Sequence, residues 1–169
     1  MPQVHVCSLA RIDEIAHSAG ARSMVTLINV GTPVARPACI APDRHLFIGM
    51  SDIGQPLQGH VAPDTAHVET LLAFVRAWDR REPLLIHCWA GVSRSTAAAF
   101  VTACALNPAR GEDEIASNIR ASSPTATPNA RFVAIADERL GRNGRMIAAV
   151  EAIGRGEDCF EGVPFALPL

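Results

Sequence analysis

The stretch LLIHCWAGVSRSTAAA, residues 84–99, decides how this chain is read. Leu84–His87 is a short continuous apolar run, the kind that forms a strand covered on both faces. A Gly-containing turn follows. From Ser93 onward the segment SRSTAAAFVTACAL is apolar nearly all round, which predicts a buried helix. Strand, loop and helix N-terminus in succession aim several backbone N–H groups at one point. Backed by the positive end of the helix dipole, they form an anion-binding nest, and phosphate is the obvious guest. Gly91 lets the backbone turn there, or approach the anion with no Cβ in the way.

Cys88 stands at the mouth of this nest and Arg94 at its far rim. Converging N–H groups, a helix N-terminus and a guanidinium are the surroundings that bring thiol pKa values from about 8.5 into the range ~3.5–7.5. Cys88 is therefore expected to face the phosphorus of a bound ester as a thiolate. Arg94 is expected to take two phosphate oxygens bidentately, stabilising ground state and transition state together. The bare pattern C-x5-R is weak, and the chain holds a second copy, Cys104-ALNPA-Arg110. That copy follows helix rather than strand, has Ala103 where the first has His87, and has no Gly between its ends. Cys104 reads as a core cysteine.

Short apolar runs alternate with helical patterns elsewhere. Val4–Leu9, Ser23–Val30 (SMVTLINV) and His45–Met50 (HLFIGM) read as strands, and Arg11–Ala19 as a short helix ended by Gly20. Beyond the third strand comes SDIGQPLQGHVAP, residues 51–63, a Gly- and Pro-rich loop placed where α/β folds put their sites. Asp64 or Thr65 caps a helix whose Val68, Leu71, Leu72, Val75 and Trp78 form one apolar stripe. Two or three helices follow the buried one: Glu112–Ala121, about Asn129–Leu140, and Asn143–Ile153 with Met146, Ile147, Val150 and Ile153 on one face. The Pro-containing tail from Glu157 to Leu169 lacks a period and is expected to strap across the surface. No repeat or linker divides the chain, so residues 1–169 read as one α/β domain with strands first and helices last.

Composition narrows the function. All fifteen basic residues are Arg, and there is no Lys and no Tyr. That removes the GxxxxGK nucleotide loop, lysine Schiff-base chemistry and any catalytic tyrosine. Positive charge here means guanidinium forks or backbone N–H groups. A net charge of −2 offers no basic field for nucleic acid or an anionic membrane. Five scattered cysteines, an odd number, point to a reducing compartment. The early charges in MPQVHVCSLARIDE argue against a secretory signal, and no stretch reaches the ~20 apolar residues of a membrane span. A cytoplasmic protein is the expectation. No CxxC or HExxH occurs, so no metal or other cofactor is called for.

His87-Cys-Trp-Ala-Gly-Val-Ser-Arg-Ser95 resembles the HCxxGxxR(S/T) signature of the cysteine-based protein tyrosine phosphatase superfamily. The Ser93-Arg94-Ser95 ending looks more like the dual-specificity branch than the tyrosine-specific one. The segment Pro124-Thr-Ala-Thr-Pro128-Asn129-Ala-Arg-Phe132 is similar to that branch's downstream proline–asparagine–phenylalanine segment. Small bacterial phosphatase-like proteins share this character, and a Lys-free, Ala- and Arg-rich composition suits a GC-rich genome. The resemblance implies a central, mostly parallel sheet of about four or five strands flanked by helices. It also implies a two-step phosphomonoester hydrolysis through a phosphocysteine on Cys88, without a cofactor.

In that scheme Trp89, Ala90, Gly91, Val92, Ser93 and Arg94 form the substrate-binding loop. Ser95 hydrogen-bonds the sulfur and helps it leave, and His87 orders the loop. An aspartic acid from another loop protonates the leaving oxygen. Asp52, just beyond the third strand, is the best candidate; Asp43 precedes that strand and Asp64 sits at a helix cap. The family's longer tryptophan–proline–aspartate loop is not present. Trp89 is either a pocket wall or core, and Asn129 either braces the phosphate loop or starts a helix. Cys7 and Cys39 are candidates for a resolving thiol or for plain burial. His5, His17, His45, His60 and His67 show no ligand spacing.

The substrate class follows only by analogy: a phosphorylated protein or small phosphomonoester, with polyphosphorylated molecules disfavoured because the loop adds no cation beyond Arg94. Two other classes stay open. One is a phosphatase fold that captures phosphorylated ligands without turnover. The other is a sulfurtransferase or arsenate reductase, which also places a cysteine in an anion loop, though rhodanese-type loops differ in length and lack the SRS ending.

Overall fold

The computed structural model describes residues 2–169. Five strands, β1 (Gln3–Ser8), β2 (Ser23–Ile28), β3 (His45–Gly49), β4 (Leu84–Cys88) and β5 (Phe165–Pro168), form one sheet in the order β3-β2-β4-β1-β5. The first four are parallel and β5 runs antiparallel to β1. Six α-helices accompany them: α1 (Ile12–Ala19), α2 (Thr65–Ala77), α3 (Arg94–Leu106), α4 (Glu112–Ser122), α5 (Ala130–Arg139) and α6 (Arg145–Ile153).

Strand periodicity sorts the core into two layers. Val4, Val6, Val25, Leu27, Leu84 and Ile86 face the large apolar layer that includes residues of α2 to α6. Their alternates Cys7, Met24 and Leu85 face a smaller layer with Ile12 and Ala16 of α1 and Ile40. Successive side chains on a strand point to opposite faces, so a sheet covered on both sides needs apolar residues at every position. That is why β2 and β4 are buried throughout. Helix α3 lies in the middle of the large layer, and of its thirteen residues only Ala105 is not buried.

Local signals end the elements where the chemistry requires. Asp64 caps α2 by accepting from the His67 amide at 3.0 Å, and the His67 imidazole reciprocates at the Asp64 amide at 3.1 Å. This is a capping box with histidine in the place usually taken by Glu or Gln. The expected stripe Val68, Leu71, Leu72, Val75 and Trp78 is buried.

Two expectations need correction. The tail does not merely strap the surface: Phe165–Pro168 adds the fifth strand, with Val6 opposite Phe165 and Gln3 opposite Pro168. Four residues containing a proline carry too short a period to read, and an edge strand is where proline is tolerated. In α6, Ile147 is exposed, and the buried positions are Met146 and Ala149. Among the described residues no helix is long and apolar enough to cross a membrane.

Candidate active site

The parallel strands β1, β2, β3 and β4 all end at one edge of the sheet, and the loop between β4 and α3 crosses it. Gly91 is required there twice over. Its φ is +73°, and a Cβ would lie 2.8 Å from the Cys7 carbonyl carbon and 2.9 Å from the Ser8 amide nitrogen at the end of β1.

The carbonyls of this loop are almost all taken by groups outside it. Cys88 O accepts from His87 Nδ1 at 3.2 Å, Trp89 O from the Leu9 amide at 3.1 Å, and Ala90 O from the Gly162 amide at 2.8 Å. Val92 O accepts from the Thr127 amide at 2.9 Å, and Ser93 O from the Ala97 and Asn129 amides at 3.0 and 3.3 Å. In a planar trans peptide the N–H points opposite to the carbonyl before it. Turning the carbonyls outward therefore turns the N–H groups of residues 89–91, 93 and 94 to the inner side, as an anion nest demands. The Gly91 amide donates to Cys88 Sγ at 3.3 Å, which shows where that inner side lies.

Cys88 itself is buried, and its sulfur also hydrogen-bonds the Ser95 hydroxyl at 3.1 Å. The Arg94 guanidinium is pinned from one end: Nη1 donates to Asn29 Oδ1 at 2.7 Å and to the Met50 carbonyl at 2.8 Å. Its buried Nε has no protein partner. A guanidinium so held keeps donors in reserve, and an unpaired buried N–H is costly unless an anion meets it. Burial pushes the His87 imidazole from 6.5 down to about 4, so it is a neutral group at ordinary pH.

Asp52 lies across the loop from this cluster. Its Oδ1 accepts from Ser93 Oγ at 2.7 Å and from Asn129 Nδ2 at 2.8 Å, leaving Oδ2 outside these bonds. Asn129 Oδ1 caps α5 by accepting from the Phe132 amide at 3.0 Å, its backbone amide donates to the Ser93 carbonyl at 3.3 Å, and its Nδ2 ties down the Asp52 loop. Asp43 sits in a 3-10 turn before β3, at the other end of that strand, and Asp64 is the α2 cap.

Trp89 is 61% exposed, so it is a surface group at the rim and no part of the core. Cys7 is buried, and burial raises its thiol to about 12. Cys104 is likewise raised to about 12 by burial.

Three contributors escape a reading of the sequence. Asn29 directly follows β2 and reaches Arg94 only because β2 lies beside β4. Gly162, in the tail, holds Ala90, and a Cβ there would lie 2.9 Å from the Gly91 carbonyl oxygen. Ser8 donates to Glu161 Oε1 at 2.5 Å, which fastens the same tail beside the loop.

Solved structures match this fold. DUSP15 is similar over 90% of this chain and 91% of its own, with a TM-score of 0.64 and 17% identity. The chain has the fold of the cysteine-based phosphatases. The Cydia pomonella PTP-2 phosphatase matches with a TM-score of 0.62 and 19% identity, covering 80% of this chain and 84% of that one. Human DUSP28 matches at 0.61 and 19% over 88% and 94%. No protein-family profile and no curated protein sequence matches the chain. At such identities the phosphatase fold is what is shared, and the chemistry rests on the residues above.

Proposed function

We propose that this chain is a cysteine-dependent phosphomonoester hydrolase of the dual-specificity type. The observation that carries the reading is the loop with its carbonyls tied outward, its N–H groups inward and Cys88 Sγ among them. Arg94, with its unpartnered Nε, completes the anion site.

In the first step Cys88 Sγ attacks phosphorus, a P–S bond forms, and the P–O bond to the leaving group breaks. Asp52 delivers its proton to the leaving oxygen. Water then attacks the phosphocysteine, Asp52 takes a proton from it, and the P–S bond breaks. Ser95, in hydrogen-bond contact with the sulfur, stabilises the departing thiolate. The inward N–H groups and Arg94 carry the equatorial oxygens throughout. His87 acts on loop geometry and not as an acid.

The fitting substrate is a phosphorylated protein side chain or a small phosphomonoester, because Trp89, Ala90, Gly91, Val92 and Ser93 bring no second cation. Five free cysteines support a cytoplasmic, reducing setting.

The test is turnover of para-nitrophenyl phosphate from about pH 5 to 8, with chelator present, by the wild type, Cys88→Ser and Asp52→Asn. Chelator-resistant turnover is expected to vanish in Cys88→Ser. In Asp52→Asn it should fall roughly 10²–10⁴-fold and lose its basic limb. A wild type that binds vanadate tightly but turns nothing over would replace the enzyme with a phosphate-binding module.

A further inference from the structure

One carbonyl of the loop from Cys88 to Arg94 is held from a different part of the chain than the others. Cys88 O, Trp89 O, Val92 O and Ser93 O are taken by His87, Leu9, Thr127, Ala97 and Asn129, all of which precede α6. Ala90 O is taken by Gly162, in the tail between α6 and β5. Gly162 is buried there, whereas Glu157–Glu161 and Val163 on either side of it are exposed.

The peptide unit so held is also the one least fixed by its own neighbours. The torsions on either side of the Ala90–Gly91 unit set its orientation, and Gly91 has no Cβ to restrict its share. Planarity makes the result two-way. With the carbonyl outward, the Gly91 N–H points inward and donates to Cys88 Sγ at 3.3 Å. With the unit flipped, the sulfur loses that donor and a carbonyl oxygen faces the anion. Gly162 N–H, the Ala90–Gly91 peptide and Cys88 Sγ therefore form one hydrogen-bonded series, with steps of 2.8 and 3.3 Å.

The tail is built for this approach. The φ of Gly162 lies outside the left-handed region, so glycine answers there to space: a Cβ would lie 2.9 Å from Gly91 O and 3.3 Å from Ala90 O. Its neighbour Glu161 is fastened by the buried Ser8 hydroxyl, and Ser8 stands opposite Cys88 in the β1–β4 register. At the other end of the tail the Gly156 amide donates to Thr127 Oγ1 at 3.0 Å, and Thr127 is the residue that holds Val92 O.

We propose that the tail is a clasp on the phosphate nest, with Gly162 as the positioning residue for the Ala90–Gly91 peptide, so that tail docking and anion binding strengthen each other. This rests on the loop being the anion site of the proposed reaction, and it holds whether or not turnover follows. An undocked tail releases the peptide and weakens the nest. A bound anion needs the Gly91 N–H inward, which keeps the Ala90 carbonyl where Gly162 meets it. Such coupling is reciprocal, so one factor describes both directions.

The experiment uses the full chain and orthovanadate. Gly162→Ala, which drives a Cβ against two loop carbonyls, is expected to bind vanadate about tenfold more weakly. Phe160→Ala, at a fully exposed position of the same tail, should stay within about twofold of wild type. In the wild type, saturating vanadate should slow hydrogen exchange at the Gly162 amide by the same factor of about ten, while the Gly20 amide that caps α1 changes less than about twofold. A glycine needed only for packing predicts no such slowing. A folded Gly162→Ala variant with wild-type affinity overturns the clasp, and so does a Gly162 amide whose exchange ignores bound vanadate. If Gly162→Ala does not fold, the wild-type exchange rates decide alone. A wild type that binds no vanadate overturns the anion site itself, and the clasp with it.

Discussion

The chain spells C-x5-R twice, and the two copies have opposite fates. Cys88 leaves a parallel strand into a loop whose N–H groups face its sulfur, and Arg94 is buried with one nitrogen unpartnered. Cys104 lies in the last turn of α3, far from the free N–H groups of the helix start, and its thiol is raised to about 12 by burial. Arg110 sits on the surface, donating to Glu114 at 2.9 Å and to the Pro168 carbonyl at 2.9 Å. The same two residue types at the same spacing flank a strand-to-helix loop in one place and a packed helix end in the other. What differs is the backbone between them, and whether it has N–H groups left to offer.

Substituting the two arginines breaks the comparison most sharply. Arg94→Lys keeps a charge but loses the fork, and kcat/KM for para-nitrophenyl phosphate should fall roughly 10²–10³-fold. Arg110→Ala should leave kcat/KM within about twofold and stability within about 0.5 kcal/mol.

The glycine that only the first copy contains comes next. Gly91→Ala forces a Cβ at φ +73° against the Cys7–Ser8 peptide. It is expected to cost about 2–4 kcal/mol, read as a lower urea midpoint, with loss of turnover in the molecules that remain folded.

The residue before each cysteine sharpens the contrast through pH. His87 is held near 4 in the fold against 6.5 in the unfolded chain, whereas Ala103 does not titrate. As pH falls below about 6.5 the unfolded chain takes up the proton first, so this part of the stability is present above 6.5 and is lost between 6.5 and 4. Over that window the wild type should lose about 3 kcal/mol more than His87→Gln in urea titrations.

The smallest effect belongs to the second cysteine. Cys104→Ala should cost about 1–2 kcal/mol of stability by calorimetry and leave kcat unchanged.

Four of the five strands, the helices and the loop from Cys88 to Arg94 were legible because each carries its signal locally: an apolar run, a period, a cap or a glycine between Cys and Arg. That Asp52 lies at the same end of the sheet as Cys88 was legible because both stand at the end of a strand. The fifth strand was not, since Phe165–Pro168 is defined by its partner β1 rather than by its own pattern. Asn29 was likewise hidden, because nothing in SMVTLINV says that this strand will lie next to β4.

The amino-acid sequence by itself determined the α/β alternation and the order of the loop residues from His87 to Ser95. It also ruled out lysine and tyrosine chemistry, because these depend on residue identity and short-range geometry. The tertiary structure alone decided which groups hold the loop open: Leu9, Gly162, Thr127 and Asn129 on its carbonyls, Asn29 and Met50 on Arg94, and Ser93 with Asn129 on Asp52. Those partners lie far apart along the chain, and a hydrogen bond between distant residues exists only once sheet order and packing have brought its donor and acceptor within about 3 Å.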